Sequence, residues 1–135
     1  MSAEKRNYIT VRELVDTALD EVKKENVIIE AENDCPLDYI ITNSKVELDK
    51  LYRCSFDVTG QTCYGGSEGV YGEIYLIGKW KQEGKEDAEQ RSYARICTLK
   101  TLAASKKAYL AMGSIVNSLC YHANHFVAEN IGRFD

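Results

Sequence analysis

The sequence predicts an α+β fold: an antiparallel β-sheet of four to five strands in a meander, with an N-terminal helix and a long C-terminal helix packed on one face. Three observations point to it. Two segments, at about 11–25 and 105–131, repeat apolar residues every three or four positions, the period of a helix with one buried face. Between them, the runs 48–58 and 70–80 alternate apolar and polar residues, the period of a strand. The chain has 135 residues, 44% of them hydrophobic, and a net charge of −4. That is enough apolar material for one core in a single domain, 1–135, and too little charge for disorder.

Each element has a local cause. Thr10 is a natural N-cap for the first helix, with Glu13 three residues on and Ile9 and Leu14 as a hydrophobic staple. Val11, Leu14, Val15, Ala18, Leu19 and Val22 make its apolar stripe; Arg12, Asp16, Asp20, Glu21, Lys23 and Lys24 make its wet back. Short strands are predicted at Val27–Ile29 and Tyr39–Thr42, with Asn33–Pro36 as a turn between them. In the run 48–58, Tyr52, Cys54, Phe56 and Val58 share a face. Residues 59–69 read as a glycine-rich loop. In 70–80, Val70, Ile74, Leu76 and Trp80 share a face with Gly72 and Gly78, and Tyr71, Glu73, Tyr75, Ile77 and Lys79 line the other. Residues 81–90 read as a charged hairpin tip. The strand at about 91–99 has two competing phases, Tyr93, Cys97 and Leu99 against Ala94 and Ile96. Ser105 caps the last helix and Gly132 stops it. Its stripe is Tyr109, Met112, Val116, Leu119, Ala123 and Phe126, flanked by Ala108, Ile115 and His122. At roughly 40 Å this helix either spans the sheet or meets a partner, which makes a homodimer through it an expectation.

Composition excludes several classes of function. No apolar run is long enough to span a membrane, and the first residues lack a secretory signal, so a cytoplasmic protein is expected. Five cysteines without a Cys-x-x-Cys pair read as free thiols. His122 and His125 lie three apart on the last helix, but two donors fall short of a zinc site, and a packed core histidine is the plainer reading of His122. No nucleophile–base pair or serine elbow is legible, so no enzyme, no cofactor and no metal are expected.

Two surfaces remain unusual. Lys100, Thr101, Ser105, Lys106 and Lys107 gather at the start of the last helix, where free N–H groups suit a phosphate or carboxylate. The plainer reading is a set of solvated lysines. The second surface is the glycine-rich loop with Tyr64, Gly66 and Glu68, together with the outer sheet face carrying Tyr71 and Tyr75. Arg91, Tyr93 and Arg95 add a stacking surface of the kind that binds nucleic acid, but the net charge is of the wrong sign.

The pieces Tyr64–Gly69, Glu73–Gly78 and Thr98–Leu102, leading into a long helix, resemble small accessory proteins of phages and conjugative elements of Gram-positive bacteria. The resemblance covers residues 64–134. It implies a protein that binds and blocks a host component, as anti-CRISPR proteins block a defence system. The expected function is therefore a non-catalytic protein-interaction module with a host protein as partner. The alternative is a binder of a small anionic ligand, such as a nucleotide, at the N-terminus of the last helix.

Overall fold

The computed structural model describes residues 8–24, 38–41, 46–64, 69–84, 90–101 and 105–130. The elements in chain order are β1 (Ile9–Thr10), α1 (Val11–Lys24), β2 (Asp38–Ile41), β3 (Leu51–Tyr64), β4 (Val70–Gln82), β5 (Gln90–Thr101) and α2 (Lys106–Asn130). Five strands form one sheet in the order β1-β3-β4-β5-β2, with every pairing antiparallel. β3, β4 and β5 are the meander; β2 returns to the far edge, with Tyr39 opposite Leu99. Both helices pack on one face, so the α+β architecture expected from periodicity is the one found. The strand expected at Val27–Ile29 and the stop at Gly132 lie outside the described residues, as do the side chains of Cys54 and Phe56.

α1 starts where its cap dictates. The Thr10 hydroxyl accepts from the Glu13 N–H at 3.1 Å, and the Glu13 carboxylate accepts from the Thr10 N–H at 2.9 Å. This reciprocal box satisfies two backbone donors that the first turn leaves open. The six stripe residues read from the sequence are its buried residues. Its outer side is tied to the β2–β3 connection by Arg12, which grips Asp49 through two hydrogen bonds at 2.7 and 3.2 Å.

β3 corrects the expected loop. It runs on through Gly60 to Tyr64, paired to β4 down to Tyr64 opposite Val70, so six of the residues read as loop are strand. Glycine, glutamine and threonine read locally as turn residues, yet the pairing with β4 and a seat for α2 hold them extended. β4 also runs past its expected end to Gln82, where Glu83 and Gly84 begin a turn and the Glu83 N–H bonds the Leu51 carbonyl at 2.8 Å. Gly84 has φ +85°, a backbone state that an L side chain rarely adopts.

A bulge resolves the two phases of β5. Ile74 stands opposite Cys97 and Tyr75 opposite Arg95, so Ile96 is the extra residue. Ala94 and Ile96 before the slip and Cys97 and Leu99 after it are all buried. The conflicting alternation in the sequence is the bulge itself.

The seat of α2 is made of glycines. A Cβ on Gly60 would stand 2.6 Å from Val116 Cγ1, 2.9 Å from the Glu73 carbonyl oxygen and 3.0 Å from Ile74 Cδ1. A Cβ on Gly72 would stand 2.6 Å from Val116 Cγ2 and 3.0 Å from Met112 Sδ. Val116 thus rests one methyl over each glycine of two neighbouring strands. Asn124 adds a polar lock. Its Oδ1 accepts from the Val58 N–H at 2.7 Å and its Nδ2 donates to the Val58 carbonyl at 2.9 Å. Among the described residues β1 pairs with Leu51 and Tyr52 alone on that edge of β3, and Asn124 does for Val58 what a neighbouring strand would. These contacts set the rotation of α2 and correct its expected stripe. Ala108, Met112, Ile115, Val116, Leu119, Ala123 and Val127 are buried, whereas Tyr109 is exposed and His122 is half-exposed rather than a core residue. No described helix is long and apolar enough to cross a membrane.

Gly72→Ala is expected to cost about 1–3 kcal/mol in urea unfolding through overpacking. Gly60→Ala should cost more, because a backbone oxygen also stands in the way. Adding Val116→Ala to Gly72→Ala should recover part of the loss; strictly additive effects would contradict the shared seat.

Candidate functional site

Because both helices occupy one face, the alternate residues of β3, β4 and β5 lie on a face that neither helix covers. Register places Gln61 opposite Glu73, Cys63 opposite Tyr71 and Thr59 opposite Tyr75. On the other side Arg95 is opposite Tyr75, Thr98 opposite Glu73 and Lys100 opposite Tyr71. The bulge at Ile96 brings Arg95 within reach of Glu73.

Glu73, on the central strand, organises this face. Its Oε1 accepts from Gln61 Nε2 at 2.8 Å and from the Tyr75 hydroxyl at 2.9 Å, with the Cys63 thiol at 3.5 Å. Its Oε2 accepts from Arg95 Nη1 at 2.9 Å, an ion pair whose arginine is nearly half exposed. The Gln61 amide holds the Glu73 carboxyl below the usual glutamate range, with Tyr75, Arg95 and Cys63 adding to the effect against partial burial. Burial and the neighbouring carboxylate push both the Cys63 thiol and the Tyr75 hydroxyl up. The ammonium of Lys100 sits over the Tyr71 ring, 5.4 Å from its centroid. The arrangement is a satisfied scaffold. Its acid is ionised and its thiol is protonated, the reverse of an activated nucleophile.

An apolar spot stands beside this scaffold. Ile77 is 47% exposed, and with Thr59, Gly60, Gln61 and Tyr75 it lines a shallow depression of about 250 Å³. Tyr64, 56% exposed, ends β3. Of the residues expected to bind a partner, Tyr71 and Tyr75 lie together on the uncovered face, half-buried and engaged. Tyr64 lies at the strand end, and Gly66 and Glu68 lie outside the described residues. The side chains of Arg91 and Tyr93 also lie outside them. Glu73 and Gln61 are the residues that sequence reasoning missed as a pair. The signal was their facing register, which the loop reading of 59–69 concealed.

The residues expected to hold an anion are divided. Lys100 lies on the uncovered face, while Thr101 is buried. The Ser105 oxygen caps α2, accepting from the Ala108 N–H at 3.0 Å. Lys106 and Lys107 are exposed in the first turn. A second groove, of about 370 Å³, lies between α1 and α2 and is lined by residues that include His122, His125, Glu21 and Glu129. Here His125 pairs with Glu129 at 2.9 Å, and its ring lies parallel to that of Tyr121. Among the described residues no three His, Cys, Asp or Glu side chains gather where a metal ion could be held.

Two measurements test this electrostatic picture. A carboxyl held below its ordinary value stabilises the fold fully above that value, roughly 4.3, and the contribution fades as pH falls through the lower folded value. Glu73→Gln should therefore flatten the acid limb of stability against pH; an unchanged limb would contradict the network. The thiols supply the second. Burial pushes Cys97 up to about 12 and Cys120 up to about 11. In the folded protein at mildly alkaline pH, Cys63, Cys97 and Cys120 should react with thiol reagents far more slowly than after unfolding, and rapid labelling of Cys63 would contradict its reading.

No known family model, curated protein or solved structure matches the chain.

Proposed function

We propose that the protein is a non-catalytic interaction module that presents the uncovered face of its sheet to a partner protein. The observation that supports this reading best is Ile77. A large apolar side chain stands nearly half exposed in the middle of a face whose polar neighbours are bonded to one another. Glu73, Gln61, Tyr75 and Arg95 satisfy one another's hydrogen bonds, so a partner leaves none of them orphaned, and the face offers an apolar anchor beside a shallow depression. The net charge of −4 disfavours a polyphosphate partner. The ionised Glu73 and the raised thiols support binding over catalysis. The resemblance of residues 64–134 to accessory proteins of phages and conjugative elements makes a host defence component, such as a nuclease, the first partner to test.

The test is capture from bacterial lysate on the immobilised protein, with and without nuclease treatment. One protein should be retained in both cases. Ile77→Asp should lose it while the chain stays folded, at a cost of about 1 kcal/mol for an acid in a strand opposite Asp57. Retention that disappears with nuclease, or undiminished capture by Ile77→Asp, would overturn the reading.

A further inference from the structure

We infer that the outer face of α2 is a self-association surface, on which two copies of the chain lie side by side with their α2 helices antiparallel. This face is distinct from the uncovered side of the sheet. Between Lys107 and Glu129 the helix contains no Asp, Glu, Lys or Arg. Its outer line nevertheless shows Leu110 at 61% exposure, Ser114, Asn117, Tyr121 at 67% and Ala128. A solvated helix face ordinarily carries charge. α1 of the same chain does so, with exposed Arg12, Asp16, Asp20, Lys23 and Lys24.

The ends of α2 say what covers this face. Exposed Lys106 and Lys107 stand in the first turn, which has no acid, and exposed Glu129 stands in the last, which has no Lys or Arg and where its carboxylate meets His125 Nε2 of the preceding turn at 2.9 Å. Both signs oppose the helix's own dipole, so neither is favoured by it. Antiparallel pairing reverses this. The positive end of each helix then lies beside the negative end of the other, and Lys107 of each copy faces Glu129 of its mate. Lys107 and Glu129 are 22 residues apart, about six turns at 3.6 residues per turn, so they lie near one line of the helix. A two-fold axis near Ser118 brings them together at both ends at once, with the uncharged stretch between. A parallel pair would set lysine against lysine and glutamate against glutamate. The complementarity lies within one helix, so the partner it fits is a second copy of this chain, in a self-complementary contact.

Sedimentation velocity over a concentration series tests this. The full chain should show a concentration-dependent dimer. Leu110→Glu with Tyr121→Glu, both exposed in the monomer, should be monomeric at the same concentrations with its melting temperature retained. Lys107→Glu should weaken the dimer roughly two- to thirtyfold, because the exposed ion pair is lost at both ends of the two-fold contact, even though it relieves the monomer's helix N-terminus. Lys107→Glu with Glu129→Lys should restore association. A wild-type monomer up to millimolar concentration, a dimer that survives the double glutamate variant, or a charge swap no better than the single change would each overturn the proposal. Ile77→Asp should dimerise as the wild type does, which separates this result from the fate of the sheet-face reading.

Discussion

The placement of Val116 over Gly60 and Gly72 is the constraint on which the rest depends. Packed layers stand about 10 Å apart when side chains separate them; here two neighbouring strands have none at the contact point, and the valine methyls fill the space. That contact fixes where α2 crosses the sheet and how it is rotated. It brings Asn124 to the edge of β3, where the amide pairs both backbone groups of Val58. It also brings Gly113 beside Thr62, so the helix runs opposite to the strand. With α2 seated in this way and α1 packed beside it, one face of the sheet is filled, and neither helix covers the other.

That other face is stabilised by polar saturation rather than by burial. A carboxylate on the central strand collects donors from three strands, and the bulge in β5 delivers one of them. The consequence is electrostatic. The acid is kept ionised, the thiol beside it is kept protonated, and the tyrosine hydroxyl is occupied by a hydrogen bond. Those states suit the face to recognition, the role we propose for it. Ile77 stands exposed on this face, and Tyr64 is exposed at the end of β3.

Much of this is legible in the residues. The capping box at Thr10 and Glu13, the six buried positions of α1 and the alternation of β4 are local patterns, and the structure has them at the same positions. What depends on distant contacts is not legible. Gly60, Gln61 and Thr62 carry turn composition, and only the approach of α2 explains a glycine inside a strand there. Ile96 reads as a conflict of phase because a bulge has no local sequence signature. Tyr109 and His122 fall on the expected apolar side of α2 because nothing within the helix reports its rotation. That rotation is set by the glycine seat on β3 and β4, which is remote in sequence. Glu73 and Gln61 are visible as polar residues, but their pairing requires a register that a loop reading forbids.

The seat itself is directly observable. In the isotopically labelled protein, nuclear Overhauser contacts from the two Val116 methyl groups to the α-protons of neighbouring strands would report it. The account predicts strong contacts from one methyl to Gly60 and from the other to Gly72, with the Met112 side chain also close to Gly72. Val116 methyls that show no contact to either glycine would contradict the account, because the contact that positions α2, and so leaves the opposite face uncovered, would be missing.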